Sequence, residues 1–357
     1  MVDVTIPASG AMGADGAYNE HVKIPVAAAA TILQHWERAV RSVALDHGEQ
    51  AIVIADYGVS QGKNSLAPIR IAIDSLRSRV GLDRPISVCH VDLAIDDFNT
   101  LFKVLEGDPD SYHRNALNVY PCVVGRSFYE NVLPQNSVHI GWSSYAAMWI
   151  SRIPTQLPGH IFVPRSTGAT RMEFERQHEQ DWETFLSLRA RELRSDGRLL
   201  VVVPGADEAG VSGFEEIMDQ ANSVLTEMVD DGSITAAEYA PMVLGVWPRR
   251  RSELLAPFGR DGRYQNLTVE HCETTALGDP AWTDFQRDGS KDVLANKQAA
   301  FYRSVFAPTL AAALGTADNP EARRDFGDRL EHRLQQRRVR TPAALNSLVQ
   351  TIVLAKV

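Results

Sequence analysis

Seven short runs of branched, mostly uncharged residues punctuate this chain, at 51–55, 86–91, 120–124, 137–142, 198–203, 267–272 and 346–357. Such runs are the pattern of strands covered on both faces by helices. Between them the apolar positions follow a helical period. Residues 24–44 form one such stretch, with an alanine-rich start, and 174–194 another, closed by the turn signal Ser195-Asp196-Gly197. Strands alternating with helices of this length predict an α/β fold around a mostly parallel sheet.

From 205 to 264 the strand pattern disappears. There 213–229 and 235–239 read as helices, and 243–251 reads as a connection lined by Trp247 and Pro248. We expect this part to form a mostly helical cap. The chain then divides into a mobile N-terminal segment, 1–16, a sheet domain built from 17–204 and 265–357, and the cap, 205–264. Two further helical stretches, one containing 297–314 and one at 321–338, fall in the sheet domain. The second carries Phe326, Leu330 and Leu334 on one face, and its many arginines are expected to be solvated.

Composition narrows the classes. With 357 residues and 44% hydrophobic content the chain can bury a substantial core, and it exceeds a minimal doubly wound domain. A formal charge of −9 argues against a general nucleic-acid-binding face. The basic cluster Arg249-Arg250-Arg251 is read as a solvated surface turn. Cys89, Cys122 and Cys272 make neither a disulfide framework nor a metal-ligand pattern, and the first two, inside strands, read as small core residues. The start of the chain lacks a signal-peptide pattern and no run approaches about 20 apolar residues, so a cytoplasmic protein without a membrane span is expected.

The candidate chemistry sits where strands stop. The first run ends in Asp56, followed by a turn punctuated by Gly58 and Gly62, and the second ends in Asp92-Leu93. In open α/β sheets ligands bind outside the carboxyl ends of the strands. The glycine spacing is not G-x-G-x-x-G, and an acidic side chain precedes it, which disfavours a pyrophosphate. Two carboxylates at neighbouring strand ends suit an ammonium group and ribose hydroxyls, hence S-adenosylmethionine. The plainer alternative is that both aspartates cap the following helices. An NAD-dependent oxidoreductase uses the same sheet, but the tighter glycine triplet and a catalytic His or Tyr-x-x-x-Lys pair are missing from any convincing context.

Four segments carry a resemblance to a known family: GAYNEH, IADYGVSQGKNSL, VDLAIDDFNTLFKVL and GRSFYENVLPQNSVHIGWSSYAAMWIS. In these, and in DWETFLSLRARELRSDGRLLVVVPG and SLVQTIVLAKV, the chain resembles the SABATH carboxyl methyltransferases, which make methyl esters of small acids with S-adenosylmethionine. The resemblance implies a Rossmann-like class I methyltransferase sheet with one antiparallel member. It places Tyr18, Asp56, Gly58, Asn64, Asp92, Leu93, Ser127 and Phe128 on the cofactor, with S-adenosylhomocysteine as product. It places Met148 and Trp149 on the substrate, the indole N–H donating to the acid's carboxylate. Phe214, Ile217, Leu225, Trp247 and Phe301 are further lining residues by position and apolar character. A homodimer is implied by family likeness alone, and the N-terminal segment is implied to fold over the substrates. A core tryptophan on a helix after the fourth strand is the plainer reading of Trp149.

Three departures bear on the substrate. Pro25 stands where the family has a glutamine that donates to the carboxylate, His21 and Val22 stand for its Asn and Ser, and Lys63 adds a cation to the loop. His21 is the candidate replacement donor, alongside Trp149. A carboxylic acid is already ionised near neutrality, so positioning rather than a general base is expected. With a donor missing, affinity shifts toward apolar contact, about 0.8 kcal/mol per buried methylene, which favours a medium-chain fatty acid over an aromatic or terpenoid acid. A non-catalytic sensor of a small acid or adenosyl compound is the alternative from another class.

Overall fold

The computed structural model describes residues 26–114 and 116–357, with side chains in the first helix from residue 29 onward. Segment 1–16, Tyr18, His21, Val22 and Pro25 lie outside the described residues. All seven expected runs are strands, and a two-residue strand adds an eighth: β1 (Ile52–Tyr57), β2 (Ile86–Asp92), β3 (Val119–Gly125), β4 (Val138–Ser144), β5 (Leu193–Gly205), β6 (Arg263–Tyr264), β7 (Leu267–Ala276) and β8 (Leu348–Lys356). They form one sheet in the order β3-β2-β1-β4-β5-β8-β7-β6. β1 to β5 pair in parallel, whereas β8 runs antiparallel between β5 and β7. The chain therefore winds outward in one direction from β1 and in the other from β4, and the crevice at their carboxyl ends is a topological switch point.

Strand composition matches strand position. β1, between two partners, is buried at five of its six residues, while β3, the edge, is largely accessible and tolerates Pro121 within the strand because only β2 pairs with it. Alternate residues feed two separate cores. Ile52, Ile54, Leu200 and Val202 pack under α1 (Val26–Ser42), α2 (Leu66–Val80) and α3 (Phe98–Gly107), through Ile32, Trp36, Ile69 and Leu101. On the other face Tyr57, Leu199, Val201 and Val203 meet Trp182, Phe185 and Leu186 of α4 (Gly168–Glu192). The turn expected at 195–197 is a bulge inside β5: Asp196 takes φ 58° and the register with β4 shifts there.

The segment expected to form the cap, 205–264, contains α5 (Glu215–Asp230), α6 (Ala236–Tyr239) and α7 (Arg251–Leu255), and α8 (Pro280–Asp288), α9 (Lys291–Val305), α10 (Ala307–Ala311) and α11 (Pro320–Arg340) follow it in the chain. Ile217 and Leu225 of α5 share one apolar cluster with Tyr302 of α9, Leu310 of α10, and Phe326, Leu330 and Leu334 of α11. The helical stretches counted with the sheet domain thus complete the cap core, because a single amphipathic helix cannot bury its own apolar face.

Burial also corrects three residue-level expectations. Arg338 continues the Phe326-Leu330-Leu334 stripe and is fully buried, donating to Gln298 Oε1 at 2.8 Å and Glu216 Oε1 at 3.1 Å. Arg249 is 2% exposed, not a solvated turn residue; its Nη2 donates to the His178 carbonyl and its guanidinium lies over the Trp182 ring. Cys122 is exposed, since the edge strand leaves it uncovered, although its Sγ lies 3.2 Å from that of buried Cys89.

Candidate active site

The first expected ligand contact, Asp56, is buried where β1 ends, at 1% exposure. Parallel register sets it opposite His90 of β2, and His90 Nδ1 lies 2.8 Å from Asp56 Oδ2. His90 Nε2 is 2.7 Å from the Tyr112 hydroxyl. Burial, with the Asp56 charge behind it, raises Tyr112 well above the ordinary phenol range. The Tyr112 hydroxyl and the Asp56 carboxylate thus hold the imidazole at both ring nitrogens. Neither His90 nor Tyr112 was legible as a site residue, because the pairing depends on inter-strand register. The β1 carboxylate is thereby held in place from behind.

The turn after β1 is locked by close approach. Gly58 takes φ 86°, and a Cβ there would fall 2.0 Å from Ala146 Cβ. Its N–H donates to the Val91 carbonyl at 2.8 Å, which ties the turn to β2. Ser60, at φ 49°, donates its N–H to Asp92 Oδ2 at 2.7 Å. We expect Gly58→Ala to destabilise the protein by about 2–4 kcal/mol through strain and overlap, lowering the urea midpoint accordingly. An unchanged midpoint would show that the Ala146 segment yields freely. Asn64 lies exposed in the helical turn Lys63–Ser65, and Lys63 forms an ion pair with Asp108, so its cation is already engaged.

Asp92 accepts one backbone N–H on each oxygen, from Ser60 and from Leu93. Burial raises its pKa, opposed by hydrogen bonds from Asp96 and those two amides. Asp96 is pushed up to about 8, by burial first and then by the Asp92 charge. Near neutrality the pair shares one proton, with Asp96 as donor. The folded value exceeds the unfolded value of 3.8, so this contribution is complete below about pH 4 and is lost as pH rises through about 8. Asp96→Asn mimics the protonated form, and its urea midpoint should therefore fall less than the wild type's between pH 6 and 9. Parallel falls in both proteins would contradict the shared proton.

Ser127 and Phe128 follow β3 in a loop held from beneath by α4. Arg189, fully buried, donates from Nη1 to the Phe128 carbonyl at 2.8 Å and from Nη2 to Glu192 Oε1 at 2.9 Å. Glu192 also accepts from the Tyr57 hydroxyl at 2.8 Å and from the amides of Val132 and Leu133. Arg189, Glu192 and Tyr57 escaped the sequence reading, since a charged pair on a helix usually faces water. The loop reaches the second half of the site through Tyr129, whose hydroxyl donates to the Trp149 carbonyl at 2.7 Å.

Trp149 is not on a helix. It follows a turn after β4, entered by Tyr145 at φ 57°, and bridges antiparallel to Val246 of the cap connection. Its side chain is 7% exposed, and its indole Nε1 is buried with no hydrogen-bond partner among the described residues. A buried N–H normally finds an acceptor. Met148, Trp149, Ile217 and Leu225 share the cap cluster, with Phe214 and Phe301 packed against it. Trp247 belongs elsewhere: it packs with Ile150 and Phe174, and its Nε1 faces the Glu253 carboxylate at 3.3 Å.

A family profile described as SAM dependent carboxyl methyltransferase matches residues 8–354. The chain belongs to that family. Among its curated relatives, monomethylxanthine methyltransferase 2 of Coffea arabica is 26% identical over 337 residues, covering 85% of this chain and 86% of its own. Benzoic acid/salicylic acid carboxyl methyltransferase 3 of Petunia hybrida is 29% identical, covering 64% and 67%. The structure of loganic acid methyltransferase with SAH superposes with a TM-score of 0.74 at 19% identity, over 98% of both chains, which supports the class I methyltransferase fold.

As a SABATH carboxyl methyltransferase the protein uses S-adenosylmethionine, and the residues at the switch point fit that molecule. Two amides and the Asp96 hydroxyl take three of the four lone pairs of the Asp92 carboxylate, which leaves one for a hydroxyl. Among the described residues no helix is long and apolar enough to cross a membrane.

Proposed function

We propose that this methyltransferase esterifies an apolar small carboxylic acid, a medium-chain fatty acid in first place, with Trp149 as the donor that orients the carboxylate. The observation that carries the reading is the buried indole N–H, without a hydrogen-bond partner among the described residues, beside an apolar cap cluster. A carboxylate brought there satisfies the indole and regains part of the hydration that it loses on entry. Met148, Ile217, Phe214 and Phe301 offer the acid's chain apolar contact without a further hydrogen-bonding demand. His21 is the proposed second donor.

Asp92, Leu93, Ser127 and Phe128 are proposed to hold the adenosine, Asp92 accepting from ribose hydroxyls. Tyr18, Asp56, Gly58 and Asn64 are proposed to contact the rest of the cofactor. The sulfonium supplies an electrophilic methyl group. The chain's own task is to exclude water and align an already ionised oxygen, an effect worth on the order of 7–11 kcal/mol in well-oriented systems.

Aromatic and terpenoid acids are the alternative, favoured by the benzoic acid/salicylic acid relative and by the farnesoic acid carboxyl-O-methyltransferase of Arabidopsis thaliana, 27% identical. Methyl transfer from labelled S-adenosylmethionine, measured across matched aliphatic, aromatic and terpenoid acids together with xanthines, tests the reading. Faster turnover of C8–C12 acids supports it. Preference for benzoate or farnesoate would reassign the acid, and activity on xanthines alone would sink the carboxylate assignment.

A further inference from the structure

Among the described residues, the methyl-transfer site leaves one group of ligand-type side chains unused. His35 on α1 and His271 and Glu273 on β7 converge at the far part of the sheet. β7 stands four strands from β1 in the sheet order, about 19 Å at roughly 4.8 Å per strand. We propose that His35, His271 and Glu273 bind a divalent transition metal of the zinc class, which pins the first helix to the sheet.

The backbone brings the three together by a specific device. In β7 the register with β8 slips between Val269 and His271. Without that bulge Glu270 would pair with Val353, a residue packed under α1, and His271 would turn to the opposite face. With it, His271 pairs with Val353 and Glu273 with Thr351, so both point toward α1. Glu270, displaced from that face, pairs with Arg198 instead.

The separations suit a metal. His35 Nε2 lies 3.3 Å and His271 Nε2 3.1 Å from the same Glu273 oxygen, and all three ligand atoms lie within 4.8 Å of one another. Bonds of about 2.0–2.1 Å in tetrahedral geometry place neighbouring ligand atoms about 3.3 Å apart. Both imidazole–carboxylate edges are thus near their coordinated length, while the nitrogen pair must adjust and the stacked rings must tilt apart to aim both lone pairs at one ion. The rings stack with centroids 3.8 Å apart, an arrangement that opposes two imidazolium charges side by side. Two imidazoles and a carboxylate match zinc preference, and side-chain exposures of 15%, 32% and 40% leave room for a water in the fourth position.

The test uses the untagged full chain, stripped of metal by chelator and dialysed, then titrated calorimetrically with Zn²⁺ and followed by absorption with Co²⁺. One Zn²⁺ per chain is expected, with a rise in Tm, and a loss of affinity of at least tenfold in both His271→Gln and Glu273→Gln. His332→Ala, at an exposed histidine on α11, should bind as the wild type does. Absence of binding overturns the proposal, as does binding that persists unchanged in the two variants. Should His271→Gln fold poorly, His35→Gln supplies the same readout.

Discussion

Glu192→Ala is expected to cost about 3–5 kcal/mol of stability, because it leaves the Arg189 guanidinium buried without its anion. Arg189 is fully buried, with its guanidinium 4.2 Å over the Tyr57 ring, and among the described residues only the Glu192 carboxylate faces it as a counter-charge at 2.9 Å. The same substitution orphans the Tyr57 hydroxyl and two amides of the loop after Ser127 and Phe128. Activity should fall with stability, since the Phe128 carbonyl is held by the very guanidinium that is set adrift. Urea unfolding by two probes measures the first effect. Tyr57→Phe, which removes one hydroxyl donor and keeps the ion pair, should cost only about 1 kcal/mol. A Glu192→Ala loss below about 1 kcal/mol would show that Tyr129 and the strand pairing hold the loop without the ion pair.

The strands were legible because burial on both faces forces a run of branched residues, and the switch point followed from where those runs end in Asp56 and Asp92. Trp149 was legible only through its segment, since its burial depends on a turn at Tyr145 whose positive φ no local pattern announces. The supporting layer stayed hidden for a common reason. His90 reaches Asp56 through register between strands, and Arg189 reaches Phe128 across 61 residues, so neither leaves a local periodicity. Arg338 misled for the opposite reason: its spacing of four from Leu334 marked the buried face, while its charge argued for water. Hydrogen bonds to Gln298 and Glu216 reconcile the two. The cluster that α5 shares with α9, α10 and α11 stayed hidden likewise, because helices alone in sequence do not tell which apolar faces they share.

Trp149→Phe isolates the proposed chemistry, since it deletes the indole N–H and keeps most of the apolar packing. A hydrogen bond to a charged group contributes about 1.5–3 kcal/mol, so kcat/KM for the best acid should fall by roughly 10- to 150-fold. The distribution of that loss is informative. As the carboxylate oxygen attacks the methyl group its negative charge is consumed, so the indole bond is stronger to the bound acid than to the transition state. The larger share should therefore appear in KM, with a smaller fall in kcat from poorer alignment. Binding of S-adenosylhomocysteine should stay within about twofold, because the proposed cofactor contacts at Asp92 and Phe128 are untouched. Steady-state kinetics with a C8–C12 acid, alongside calorimetry with the product, separates the outcomes. An unchanged kcat/KM would remove Trp149 from carboxylate recognition, while lost product binding would place the indole on the cofactor side of the site instead.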